Sequence, residues 1–246
     1  LEQENVDINQ EYKNNNLLQY ACYKNKNEVF DVLLNDIVFD PDQPSSDGRV
    51  ILVVAIENHN AHMVKSILDK YEHNVNVNID TNDGKTPLII ACELGDLEIV
   101  KLLLDHDDID LSKPASSDGT TPFMAAAKSG NVEILKMLMN VELIELLRQN
   151  SDEIDIYALN KVEMNAIHMA FFAEKIEAIN YLLPLFIDKL NDKTKNGETL
   201  FQIACKRGSV KLSKLLINQP GVDINVCDNE GMTPFLWGVK EGKFEL

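Results

Sequence analysis

This 246-residue chain has few of the residues that mark several common protein classes. It has four cysteines and no Cys-x-x-Cys pair, so the sequence does not support a zinc site. Its longest apolar run, 50–56, is far shorter than a membrane span requires, and residues 1–5 lack a signal-peptide pattern. Lys and Arg number 23 against 40 Asp and Glu, and a net charge of −17 argues against nucleic acid as a partner.

Motifs that carry catalysis are also absent. The sequence contains no phosphate-binding glycine loop of either common type and no Gly-x-Ser-x-Gly nucleophile motif. The acidic run 105–110 lacks the glycine and the closing glutamate of a calcium loop, which favours a solvated loop. We therefore predict no catalytic residue, no cofactor and no metal ligand, and we expect that the chain is not an enzyme.

What the chain does contain is a repeat. The letters DGKTPLIIACELGDLEIVKLLL begin at Asp83, and similar text begins at Asp118, Asn196 and Glu230, with weaker copies from Lys13, Asp47 and Val162. One small residue recurs in every copy at intervals of 34, 36, 35, 44, 34 and 34 residues. These reference residues are Ala21, Ala55, Ala91, Ala126, Ala170, Ala204 and Gly238.

Each copy encodes two helices. Thr86 is a good N-cap, Pro87 suits the first helical position, and Gly95 can end a first helix in the left-handed conformation. Apolar residues at helical spacing, Leu97 and Val100 among them, then predict an amphipathic second helix. One copy cannot bury its apolar faces alone, so the copies are expected to stack.

The pattern D-G-x-T-P-L-x-x-A-x-x-x-G-x-x-x-I-V-x-x-L-L resembles the ankyrin repeat over essentially the whole chain. The resemblance implies an all-α solenoid of stacked antiparallel helix pairs with projecting β-hairpin loops, and a role in protein–protein recognition. We predict a single array over 1–246. Its seven repeats are repeat 1 (10–45), repeat 2 (46–80), repeat 3 (81–115), repeat 4 (116–159, with an insertion near 140–160), repeat 5 (160–193), repeat 6 (194–227) and repeat 7 (228–246, truncated).

Repeat 5 departs most from the pattern. Glu163 replaces the turn glycine and Glu174 replaces the helix-ending glycine, so the pattern leaves the geometry of its loops open. The insertion before it predicts either a longer second helix in repeat 4 or a short extra helix, and it is either a binding element or a tolerated loop. Neither end shows an obvious capping repeat, from which we expect the chain to be part of a longer protein.

Three cysteines, Cys22, Cys92 and Cys205, follow the reference residue directly and are predicted to be buried free thiols, while Cys227 falls in a connecting arm. Free thiols suit a reducing compartment, the cytoplasm or alternatively the nucleus. His168 occupies a slot that the ankyrin pattern often fills with histidine, where the resemblance implies that it orders the backbone.

The partner-binding surface follows from the resemblance. In ankyrin-like stacks the partner usually meets the loop tips and the exposed ends of the first helices. The candidates at such positions are Tyr12, Tyr23, Arg49, Leu94, Val162, Met164, Phe172 and Arg207. Phe172 is equally well explained by packing against the insertion.

We expect a monomeric scaffold or adaptor that binds a protein or peptide, without a membrane span. The alternatives are a targeting or regulatory array of a larger enzyme or channel, and a structural spacer. The acidity favours a basic or neutral partner, or it serves only to keep a long surface soluble.

Overall fold

A computed structural model describes residues 17–36, 39–45, 47–140 and 154–242. These residues form two compact bodies, one comprising the described residues up to Ser117 and the other 118–140 with 154–242. The predicted insertion lies largely outside the described residues, as do Tyr12 and the last four positions of the chain.

The first body contains three helix pairs. They are α1 (Leu17–Tyr23) with α2 (Asn27–Asp36), α3 (Ile51–Glu57) with α4 (Ala61–Tyr71), and α5 (Pro87–Leu94) with α6 (Leu97–Leu104). The first helices pack in the order α1, α3, α5, and the second helices in the order α2, α4, α6. This stacking buries side chains such as Phe30, Leu52, Ile67 and Leu88 completely.

The second body continues the same scheme. Its helices are α7 (Pro122–Ser129), α8 (Val132–Met139), α9 (Ala166–Phe172), α10 (Ile176–Leu182), a 3-10 helix (Leu183–Lys189), α11 (Leu200–Arg207), α12 (Val210–Ile217) and α13 (Pro234–Lys240). First helices again pack on first helices, through α7, α9, α11 and α13. The predicted all-α arrangement of stacked antiparallel pairs is confirmed.

The first helices begin where the sequence predicts. The Thr86 hydroxyl accepts a hydrogen bond from the Ile89 backbone N–H, and Pro87 follows at the first helical position. Repeat 5 has Asn165 in the place of this threonine, and its side chain caps α9 in the same way through the His168 N–H. In repeat 2 the N-cap is Val50, so α3 starts without a side-chain cap.

Every first helix is followed by a left-handed residue, four positions after the reference residue. These residues are Asn25, His59, Gly95, Gly130, Glu174, Gly208 and Gly242, with φ between 54° and 88°. The turn position before each described first helix from repeat 2 onward is likewise left-handed, and in repeat 5 Glu163 adopts φ 58° there. In repeat 5, where the pattern leaves the loop geometry open, Glu163 and Glu174 both adopt the left-handed conformation of the glycines that they replace.

The projecting loops are hairpin-like turns, and none of the residues that the structure describes is assigned to a β-strand. In repeat 3 the Thr81 N–H donates to the Lys85 carbonyl at 2.9 Å, and the Gly84 N–H donates to the Thr81 carbonyl at 2.8 Å. Neighbouring loops are joined by single backbone bonds, such as the one from the Ser116 N–H to the Gly84 carbonyl at 2.7 Å. The β-hairpins that the resemblance implies are therefore reduced to turns linked edge to edge.

Candidate functional site

Two positions of repeats 2, 3 and 6 meet on the surface that the loop tips and first helices form. One is the residue after the turn glycine, and the other lies eight residues later, near the end of the first helix. In repeats 2 and 3 these are the ion pairs Arg49–Glu57 and Lys85–Glu93, each with a nitrogen–oxygen distance of 2.5 Å. Repeat 6 has the reverse polarity, with Glu198 and Lys206 at 2.7 Å.

Repeat 5 has Met164 and Phe172 at the same two positions, so an apolar pair stands where repeats 2, 3 and 6 have ion pairs. Both side chains line a cleft of about 430 Å³ within the second body. Val162 forms another part of the wall, and the buried Ile203 of α11 also lines the cleft. Val162 and Phe172 are each 49% exposed, so the cleft presents apolar surface to water. We call this feature the Phe172 cleft.

The charges around the Phe172 cleft are mostly positive. Lys195, Lys206 and Arg207 line it, against a single carboxylate, Glu198. The guanidinium carbon of Arg207 lies 4.1 Å from the centroid of the Phe172 ring, a stacked cation–π geometry. This local charge is opposite in sign to the net charge of −17.

Two lysines also lie against the buried ring of Trp237 in repeat 7. The ammonium groups of Lys206 and Lys240 lie 4.2 Å and 4.3 Å from its ring centroid, and its indole N–H donates to Asp228 at 2.6 Å. Burial alone would raise the pKa of the Asp228 carboxyl, but hydrogen bonds from Trp237 and two backbone N–H groups lower it. The carboxylate thus stays charged and holds the ring in place.

Four of the eight predicted site residues, Val162, Met164, Phe172 and Arg207, line the Phe172 cleft together. Tyr23 is exposed, with the Lys24 ammonium 5.1 Å from its ring centroid, and it adjoins a crevice of only about 10 Å³. Leu94 is partly exposed at the end of α5 and lines neither cavity.

Arg49 borders the same small crevice as Tyr23, but its guanidinium is bound to Asp47 and Glu57. The hydrogen bond from Arg49 is the main cause that lowers the pKa of Asp47 to about 2. Arg49 therefore holds its own loop against the first helix, a structural task that the sequence did not reveal.

Lys195, Thr194 and Ile203 were missed as cleft residues. Lys195 and Thr194 lie in the loop of repeat 6, and Ile203 has the apolar character of any core residue. Alignment of the repeats identifies tip positions, but it does not show that loop residues of repeat 6 face the tip of repeat 5.

A second cleft, of about 440 Å³, lies within the first body and is lined by residues of α4, α6 and the loops after them, half of which are acidic. Here His106 is buried, and its imidazole Nε2 lies 2.9 Å from the Glu72 carbonyl oxygen, so it joins the two loops. Among the described residues, no group of three or more His, Cys, Asp or Glu side chains is placed to hold a metal ion.

The thiols lie where the repeat pattern predicts. Cys22, Cys92 and Cys205 are buried and free, and Cys227 is exposed. Burial raises the pKa of the Cys22 thiol to about 12 and also raises that of Cys92, so both stay protonated at neutral pH. No helix in the described part of the chain is long and apolar enough to cross a membrane.

Comparison with known proteins gives matches over most of the chain. A probable 26S proteasome regulatory subunit p28 from Saccharomyces cerevisiae is 28% identical over 216 residues, which are 87% of this chain and 89% of that protein. The ankyrin repeat domain of human ASB11 superposes with a TM-score of 0.72 over 91% of each chain at 17% identity, a likeness of fold alone.

The family model for ankyrin repeats matches residues 18–115, 52–145, 110–191 and 167–246, which overlap to cover nearly the whole chain. The helix pairs, the threonine caps and the left-handed residues described above repeat with the same period. The chain belongs to the ankyrin-repeat family.

Proposed function

We propose that this chain is a protein-interaction module that binds a protein or peptide through the surface of loop tips and first helices, and that it does not catalyse a reaction. The observation that carries the proposal is the Phe172 cleft, where Met164 and the half-exposed Phe172 occupy the positions of the ion pairs of repeats 2, 3 and 6. Exposed aromatic side chains bordered by arginine are typical anchors of protein interfaces. The free thiols of this chain support a location in the cytoplasm or nucleus, where thiols stay reduced.

Photocrosslinking tests this proposal. p-Benzoylphenylalanine in place of Phe172 probes the proposed surface, and the same residue in place of Ile217 probes an exposed apolar position on α12 in the same body. We expect specific adducts from position 172 in the cells that make the protein, and none from position 217. Adducts from neither position would favour the structural spacer, and equal adducts from both would indicate nonspecific contact.

We further propose that the partner belongs to the regulatory part of the 26S proteasome. The support is the yeast relative, whose similarity extends over 89% of its own length. Purified 26S proteasome from the same source should co-sediment with the full chain, and the Phe172→Ala variant should co-sediment less. Absence of co-sedimentation at micromolar concentration would reject this partner but not the general role. That result would be compatible with the alternative in which the array is a targeting module of a larger enzyme or channel.

A further inference from the structure

We infer that the Phe172 cleft receives an acidic segment of its partner, one that places a large apolar side chain next to a carboxylate. The inference rests on the proposed function and adds the chemistry of the ligand. Three independent observations support it: the exposed apolar wall, the excess of cations on the rim, and a buried hydroxyl without a partner.

The apolar wall defines the first part of the ligand. Val162 and Phe172 are each half exposed, and they face a cleft with the buried Ile203 among its lining residues. A volume of about 430 Å³ lies in the usual range for clefts that bind small organic molecules, so it has room for a large apolar side chain. Covering Val162 and Phe172 removes apolar surface from water, so a leucine, isoleucine or phenylalanine of the partner is the favoured occupant.

The rim defines the charge of the ligand. Lys206 is paired with Glu198 at 2.7 Å, whereas Arg207 lies 3.6 Å from Glu174, longer than a hydrogen bond. The planar guanidinium of Arg207 is held over Phe172, and arginine binds carboxylates through two parallel hydrogen bonds. A carboxylate beside the apolar side chain would therefore reach Arg207 at the edge of the cleft.

Thr194 provides the third observation. Its side chain is 7% exposed and lines the cleft, and among the described residues its hydroxyl has no hydrogen-bond partner. The equivalent hydroxyls of Ser45 and Thr81 donate to the aspartates Asp47 and Asp83 of their own loops.

In repeat 6 the residue equivalent to those aspartates is Asn196, so the loop itself supplies no carboxylate to Thr194. A buried hydroxyl that lacks an acceptor is unfavourable, and because its oxygen is covered, a carboxylate of the ligand satisfies it only if the loop of repeat 6 shifts on binding. The local chemistry thus favours an acidic ligand, although the net charge of the whole chain favours a basic one.

Peptide selection tests the inference with the full chain. A displayed library of random dodecapeptides is panned against the protein, and the enriched peptides are synthesised for affinity measurement by fluorescence polarisation. We expect enriched peptides to carry Asp or Glu within two residues of Leu, Ile or Phe. Exchange of that acid for lysine should weaken binding about tenfold or more, as for an interface hot spot. Enrichment of basic peptides, or of none, would overturn the inference.

Variants locate the binding site. Phe172→Ala and Arg207→Gln should each weaken the affinity for the selected peptide about tenfold. The exposed controls Ile217→Ala and Lys211→Gln should change this affinity by less than about twofold. Thr194→Val should weaken binding while raising the Tm, because it removes an unpaired buried hydroxyl. If one of these residues had only a structural role, its substitution would lower the Tm of the protein instead.

The two proposals fail in different ways. If the selected peptides are sensitive to Tyr23→Ala but not to Phe172→Ala, the chain binds peptides elsewhere, and only the inference about the cleft is wrong. If crosslinking and peptide selection both give nothing, the interaction role itself is wrong.

Discussion

At the scale of single residues, burial separates side chains that the sequence presents as alike. Phe171 and Phe172 are adjacent in α9, yet Phe171 is fully buried and Phe172 is half exposed. Adjacent helical residues point in directions about 100° apart, so one phenylalanine enters the core and the other borders the cleft. The repeat pattern predicts this division, because Phe171 follows the reference residue Ala170 as Cys92 follows Ala91.

We expect Phe171→Ala to lower the free energy of unfolding by about 3–5 kcal/mol, the range for a large core side chain, because it leaves a cavity. Phe172→Ala should lower it by only about 1 kcal/mol, since half of that side chain is already in water. Urea denaturation of both variants measures the difference. Equal losses would show that Phe172 belongs to the core and would remove it from the proposed surface.

His168 illustrates how burial controls charge. Its side chain is fully buried, its Nδ1 lies 2.7 Å from the Asn165 side-chain oxygen, and burial lowers its pKa to about 4. The neutral imidazole agrees with the structural role that the ankyrin pattern implies. No described contact suggests a catalytic role for it.

The low pKa of His168 predicts a pH dependence of stability. Because the folded-state pKa of about 4 lies below the unfolded value of 6.5, the unfolded chain takes up the proton first as the pH falls. This contribution is fully present above about pH 6.5 and is lost as the pH falls toward 4. Between pH 7 and pH 5 it should remove about 2 kcal/mol.

The measurement is urea denaturation at both pH values for the wild type and for His168→Gln. Other titrating groups affect both proteins alike, so the difference between their pH slopes reports His168. Parallel slopes would contradict the lowered pKa.

At the scale of elements, the helix pairs rely on a left-handed residue after each first helix. Glycine adopts this conformation without strain, whereas Glu174 adopts it at φ 54°. Its ion pair with Arg207 is long and exposed and offsets little of that strain. Repeat 5 therefore keeps the fold at a local energetic cost.

We expect Glu174→Gly to raise the free energy of unfolding by about 1 kcal/mol, since the left-handed conformation costs other residues about 1–2 kcal/mol. Lys214→Gly, at an exposed interior position of α12, is the matched control and should lower it by about 1 kcal/mol. Thermal unfolding of the two variants decides the question. Destabilisation by Glu174→Gly would mean that the Glu174 side chain makes a contact whose stabilisation exceeds the cost of the left-handed conformation.

At the scale of the whole molecule, charge is distributed unevenly. The chain has a net charge of −17, but the Phe172 cleft is lined by three cations and one carboxylate. Composition alone favours a basic or neutral partner, or an acidity that only keeps a long surface soluble. The cleft shows why net charge is a weak guide to a particular site, because a ligand senses mainly the charges within about 8 Å at physiological salt.

The same net charge predicts a dependence of stability on salt. Repulsion among the excess carboxylates opposes the folded state, and salt screens it. We expect the Tm to rise by a few degrees between about 10 mM and about 300 mM salt, because this increase shortens the Debye length about fivefold. NaCl and KCl should act equally, and a falling Tm would show that the ion pairs of the loops outweigh the repulsion.

The sequence by itself determined the family, the period and the bounds of most helices. These features depend on signals within a few residues of each other: a threonine cap, a proline at the first helical position, apolar residues at helical spacing and a left-handed residue at the end. It also determined which thiols are buried, because every copy of the repeat places its side chains in the same environment.

Only the tertiary structure decided which exposed residues share a site. Phe172 and Arg207 are 35 positions apart, and stacking of one repeat on the next brings them within 4.1 Å. It likewise decided that Thr194 lines the cleft without a partner and that His106 joins two loops. The physical reason is that these contacts join different repeats, so they depend on side-chain directions after stacking and not on the local signals that build each helix pair.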